Sequence, residues 1–254
     1  MNVGNGEAGA GLVPAFLFAP VRSPFPAFPH SRFLSVVRLP LFPLPLVLLP
    51  GMHLPLHIFE PRYRIMLRDC LESDRAFGLI YRAEESEEHD LPAGSVGCRA
   101  TIDDVEPLPD GRANISVVGG DRFALVRVVQ GDSPYLIGEV VPFEDDKEPI
   151  AQVTALALRL GELFVEAAVA ARTLEDDASP VPVLTDDPGS IAFAAAASVD
   201  LDAVERQRLL ASSSPSARMR EMITLLDSSL HGLQERATIH QHAKTNGKGS
   251  RRHP

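Results

Sequence analysis

The sequence predicts an α+β protein, with an antiparallel β domain followed by an α-helical bundle. Two observations carry this. Between residues 36 and 141, short apolar or alternating stretches are separated by Gly, Pro and Asp turn signals, the pattern of consecutive short strands. After Glu148 the period changes, and Val153, Leu156, Leu160, Leu163 and Ala167 step by three or four residues, as on one face of a helix. Strands first and helices second argue for segregated layers, not alternating βα units. The 254 residues, 45% hydrophobic and 23% charged, suffice for one large domain or two small ones with a buried core.

The elements follow in order. Residues 1–34 read as a flexible leader dotted with Pro and Phe. Val36–Leu39 and Leu44–Leu49 read as edge strands or bulges, because prolines interrupt them. Glu60-Pro61 opens a helix, with Tyr63, Met66, Leu67 and Leu71 at helical spacing. Phe77–Tyr81 is a strand, and Ala83–Ser95 is a mobile acidic loop. Val96, Cys98, Ala100 and Ile102 alternate, Pro109-Asp110-Gly111 turns the chain, and Ile115 and Val117 continue on the return strand. Gly119-Gly120 is read as a break before two more strands, Phe123–Val129 and Tyr135–Val141. In the helical half, Asp187-Pro188 is expected to start a helix through Ile191–Val199. Asp202 and Glu205 have capping-box spacing. Ser214-Pro215 begins a last helix with Met219, Met222, Leu226, Leu230 and Leu233 on one face. The expected divisions are 1–34, leader; 35–147, β domain; 148–235, helical bundle; and 236–254, a disordered basic tail.

Charge and composition exclude several functions. Residues 36–148 hold 11 basic and 20 acidic groups, a net of −9, and the whole chain carries −10. That disfavours broad neutralisation of a phosphate backbone. Two cysteines, Cys70 and Cys98, fit buried thiols in a reducing cytoplasm, although one disulfide stays open. Ten of the 22 prolines lie between Pro14 and Pro55. Those within the apolar run Leu39–Phe59 break any membrane-spanning helix there.

Motifs for catalysis are lacking. There is no G-x-S-x-G elbow, no strand followed by G-x-G-x-x-G, and no phosphate loop ahead of a helix. His53 and His57 flank Pro55 in an extended segment, where four residues span about 13 Å, too far for one metal. The acidic loop lacks the spacing of a calcium loop. Asp103-Asp104 and Asp145-Asp146 are neighbours on strands, whose side chains should point to opposite faces. No catalytic residue, metal site or cofactor is therefore expected.

The segments Leu39-Pro40-Leu41-Phe42-Pro43-Leu44 and Val47–Tyr63 (VLLPGMHLPLHIFEPRY) closely resemble the opening of the N-terminal, substrate-binding domain of Lon proteases. The resemblance continues through Gly97-Cys98-x-Ala100-x-Ile102, Leu108–Arg112, Val118–Phe123, Glu205-Arg206-Gln207-x-Leu209-Leu210 and Arg218-Met219-Arg220, covering about residues 36–233. It implies a PUA-like β pseudo-barrel followed by a helical bundle. It also implies a non-catalytic module that contacts unfolded or extended polypeptides or a partner protein, as an adaptor in proteolysis or protein quality control. The ATPase and peptidase segments of full Lon proteases are not matched, so a stand-alone domain is expected. Prolines that leave a sheet edge open suit an extended peptide, and the residues to inspect are Met52, His53, Phe59, Arg62 and Tyr63, with Phe59 expected in the core. A small-ligand or RNA-binding barrel and a hydrolase are the alternative readings; the β-domain charge speaks against RNA, and the missing motifs against a hydrolase.

Overall fold

Six strands and five helices, in that broad order, form the computed structural model, which describes residues 35–85, 90–129, 131–181, 184–185 and 187–247. The strands are β1 (Val37–Leu44), β2 (His53–Ile58), β3 (Ala76–Tyr81), β4 (Val96–Pro107), β5 (Ala113–Val129) and β6 (Leu136–Pro142). The helices are α1 (Pro61–Leu71), α2 (Ile150–Glu175), α3 (Ile191–Ala197), α4 (Ala203–Ala211) and α5 (Pro215–Gly247). The leader, the middle of the acidic loop and residues 248–254 lie outside the described residues. Helix α5 runs past residue 235, where the bundle was expected to end. Among the described residues, no helix is long and apolar enough to cross a membrane.

The sheet order is β2-β5-β4-β3-β1-β6, and β5 also pairs with β6. Strands β5, β4, β3, β1 and β6 therefore close a ring, with β2 as an extra strand on β5. One pairing, β1 with β3, is parallel; the others are antiparallel.

Partner switching explains two departures from the sequence reading. Strand β1 is not an edge: it lies between β3 and β6 despite Pro40 and Pro43. Residues 37–41 pair with β6 and residues 41–44 with β3. Each proline thus sits where β1 has a partner on one side only, so its missing N–H need not cost a ladder bond. Strand β5 is likewise one strand, not two. Ala113–Val118 pairs with β2, Phe123–Val129 with β6, and Gly119-Gly120 marks the change.

The expected strand Leu44–Leu49 is instead mostly a buried turn, in which Val47, Leu48 and Leu49 are fully packed. It crosses β5 at Gly119, where an added Cβ would stand 2.1 Å from the Leu49 carbonyl oxygen. Gly51 N–H donates to the Gly119 carbonyl at 2.8 Å, and Gly119 N–H returns a bond to Met52 at 2.9 Å. Apolar composition signalled burial here, but the backbone bonds go to β5 and not to a ladder.

Inside the ring, Leu39, Leu41, Ile80, Phe123, Leu125 and Val140 form a small core. A larger core joins α1, the other face of the sheet and the bundle. Of the predicted helical faces, Val153, Leu160, Leu163 and Ala167 on α2 and Met219, Met222, Leu226 and Leu230 on α5 are buried, while Leu156 and Leu233 are half-buried. Asp202 and Glu205 form a true capping box. Asp187-Pro188 does not begin α3; the Asp187 carboxylate accepts from Gly189 N–H and Ser190 Oγ in a turn, and Ser190 is the cap.

An ionic cluster of two buried arginines and the partly exposed Asp145 joins strands to helices. Asp145, just after β6, takes a two-pronged bond from Arg218 of α5, at 2.5 and 2.6 Å, and a further bond from Arg122 of β5. Arg122 also donates to the carbonyls of Leu210 and Ser212, and Arg218 to those of Ser212 and Gly189. Phe193 of α3 lies against both guanidiniums, 5.3 and 4.5 Å from its ring centre. Burial lowers the Arg122 pKa, opposed by Asp145. Nearby, Glu148 accepts from Ser214 Oγ and Ser216 N–H at the start of α5, which holds its carboxyl below the usual range.

Cys70 and Cys98 are separate, buried free thiols. Burial pushes both up to about 12, from an ordinary value of 9.0.

Two predictions follow from this packing. Asp145→Asn leaves two buried guanidiniums without a counter-charge and is expected to lower the unfolding free energy by about 3 kcal/mol in urea melts, against under about 1 kcal/mol for the half-buried Ser213→Ala, which loses only a bond to exposed Asp146. A loss below about 1 kcal/mol for Asp145→Asn would contradict the role assigned to the cluster. The native thiols should resist an aromatic disulfide reagent at pH 8 and react once the chain unfolds. Because their folded pKa is raised, the stability they contribute is complete below pH 9 and is lost as pH climbs from 9 towards 12. Fast native-state labelling, or stability flat to pH 12, would be the opposing result.

Candidate functional site

Strand β2 is the open edge of the sheet. It pairs with β5 from His53↔Val118 to Ile58↔Ala113 and with no other described strand. Its residues alternate. Leu54 and Leu56 pack inward, partly buried, and Ile58 is fully buried. His53, Pro55 and His57 face solvent. Phe59 follows the same alternation and is 58% exposed, not a core residue as expected. The period-2 pattern His53-Leu54-Pro55-Leu56-His57-Ile58-Phe59 carried that information; hydrophobicity alone pointed the wrong way.

Phe59 stacks on His57, with ring centres 5.9 Å apart and planes at 20°. His57 Nδ1 lies 2.8 Å from Asn114 Oδ1, and Asn114 Nδ2 donates to Glu106 at 3.0 Å. Because the Asn114 amide nitrogen is committed to Glu106, its oxygen accepts from His57 Nδ1–H. In the neutral ring this leaves Nε2 as an acceptor. Asp103 and Asp104 are both exposed on β4, which lies beyond β5 from β2. A register shift between Ile102 and Asp104 inserts one residue into β4 at this point.

At its other end β2 borders a cleft of about 480 Å³. Pro50, Met52 and His53 form one wall, and Ala194, Ala197 and Ser198 of α3 and its C-cap form the other. Gly51 holds the approach to β2 in the left-handed region, at φ 76°. The α3 residues carry no local sequence signal for this role, since their contribution depends on a helix about 140 residues away docking beside β2.

The five residues singled out from sequence do not converge. Met52 and His53 share the cleft. Phe59 stands about 23 Å away by strand rise. Arg62 is half-exposed, pairs with Glu60 at 2.7 Å and lies 4.7 Å from the Tyr63 ring centre. Tyr63 is a core residue, 4% exposed and 4.1 Å from Phe42 between ring centres. It supports the strand–helix junction and offers no surface. Among the described residues, no group of three or more His, Cys, Asp or Glu is placed to hold a metal ion. What this region presents is an unpaired strand edge, apolar contacts at both ends, and imidazole between them.

Comparison with known proteins agrees with the family resemblance read from the sequence. Residues 38–228 match the ATP-dependent protease La (LON) substrate-binding domain. Lon protease 2 of Herpetosiphon aurantiacus is 29% identical over 203 residues, which is 79% of this chain and 25% of that protein. A Lon protease of Anaeromyxobacter dehalogenans is 31% identical over 195 residues, covering 74% of this chain and 23% of that protein. The chain thus spans about a quarter of the length of these relatives. The crystal structure of a Lon N-terminal domain protein from Xanthomonas campestris aligns at a TM-score of 0.52 and 27% identity, over 74% of this chain and 98% of that one. The N-terminal domain of a Mycobacterium avium complex Lon protease has the same fold, at a TM-score of 0.59 and 20% identity, over 75% of this chain and 98% of that one. The chain belongs to the Lon substrate-binding domain family.

Proposed function

We propose that this chain is a non-catalytic polypeptide-binding module that takes an extended segment along β2. The observation that carries this is the one-sided pairing of β2, which leaves backbone groups free for another strand. Met52 in the cleft and Phe59 at the far end supply the apolar contacts. An extended segment of about seven residues reaches from one to the other. The matched family is named for substrate binding in a protease, and the relatives are Lon proteases. A role for this chain as an adaptor that delivers unfolded polypeptides to proteolysis, acting in the cytoplasm, rests on that kinship. The net −9 of residues 36–148 argues against a phosphate-backbone partner. The division into a β domain of residues 35–147 and a helical bundle of residues 148–235 is part of the same reading.

Titration with a labelled, permanently unfolded polypeptide tests the proposal. Saturable binding with Kd on the order of 10 μM is expected, weakened about tenfold by Phe59→Ala and by Met52→Ser. Phe59 is exposed, so its truncation should leave the melting temperature within about 2 °C. No saturable binding into the hundreds of micromolar, or full affinity in both variants, would overturn the reading.

A further inference from the structure

A second surface lies in the helical half, distinct from β2. It is a groove of about 720 Å³ between α2, α5 and the segment joining α3 to α4. Phe164 and Leu226 form its buried floor, and Leu225, Leu233, Val199 and Leu201 its half-buried walls. Ala168 and Ala171 of α2 present only methyl groups, so another backbone can come close.

The rim carries more acid than base. Among the described lining residues, Glu175, Asp200 and Glu205 stand against one cation, Arg172, with Arg206 behind the wall donating to the Val199 carbonyl. Arg172 is already engaged by the Ser179 carbonyl and lies 3.8 Å from Asp177. Glu205 is held in the α4 capping box, while Glu175 and Asp200 form no ion pair among the described residues. Helix α2 ends at Glu175, so its C-terminal carbonyls add partial negative charge at the same rim.

We propose that this groove docks an amphipathic helix of a partner protein bearing Lys or Arg beside its apolar face. A helix suits it better than a strand. The walls are side chains of helices, with no free ladder edge, so an extended segment would leave backbone groups unpaired. A helix brings its own hydrogen bonds and offers apolar residues at i, i+3, i+4 and i+7. The acidic rim selects a cationic flank and repels an anionic one.

The test uses the full chain and a labelled, end-blocked peptide of about 18 residues, with Leu on one helical face and Lys flanking it. Two control peptides carry Glu in place of Lys, or the same residues out of helical register. The expected result is saturable binding of the Lys peptide, at least about tenfold weaker for either control and for the double variant Glu175→Lys/Asp200→Lys. Phe59→Ala should leave this affinity unchanged, which separates the groove from the β2 site. Both charge reversals are at exposed positions, and unchanged circular dichroism would verify the fold. Equal binding of the Glu peptide, full affinity in the double variant, or loss of binding in Phe59→Ala would each overturn the proposal.

Discussion

Asp145 is the residue on which the architecture turns. Strand and helix layers share a hydrophobic core, but apolar contact is not directional and does not fix how the layers meet. The Asp145 carboxylate does. It binds Arg122 from the barrel and Arg218 from the last helix, and both guanidiniums lie against the ring of Phe193 of α3. The same arginines satisfy carbonyls at the end of α4, in the α4–α5 connection and just before α3. Two buried cations around one anion would be costly without those carbonyls and the aromatic face. Their placement sets α3 beside β2, and hence the second wall of the cleft.

Prolines shape the other half of the site. In β1 they occupy positions with one partner strand, and in the crossing turn they help take an apolar segment out of the ladder. In β2, Pro55 stands on an edge strand, where a missing donor is tolerated. A proline on that edge hinders uncontrolled strand addition, yet the remaining groups can still pair with a segment held at both ends. On the proposed reading, the open edge is thus both restrained and usable.

Much of this was legible in sequence. Periodicity located α1, α2 and α5 and their buried faces, capping chemistry located α4, and the turn at Pro109-Asp110-Gly111 located the β4–β5 hairpin. What failed depended on partners. Whether Pro40 interrupts β1 depends on which neighbour lies opposite it, and whether Gly119-Gly120 breaks β5 depends on β2 and β6 lying on successive halves of one strand. Tyr63 and Phe59 exchanged roles for a similar reason. Tyr63 meets Phe42 across the fold, whereas Phe59 continues the outward face of β2. The cleft wall from α3 was invisible because it is assembled by the Arg–Asp–Arg cluster, whose members are 23 and 73 residues apart from Asp145.

The functional account rests on β2 being an open template for an extended polypeptide. Hydrogen–deuterium exchange on the full chain, with and without a saturating unfolded polypeptide, measures this directly, because strand addition buries amides that otherwise face solvent. The account predicts new protection confined to residues 52–58 and the adjoining wall of α3. Binding that leaves those amides exchanging at their free rate would contradict it.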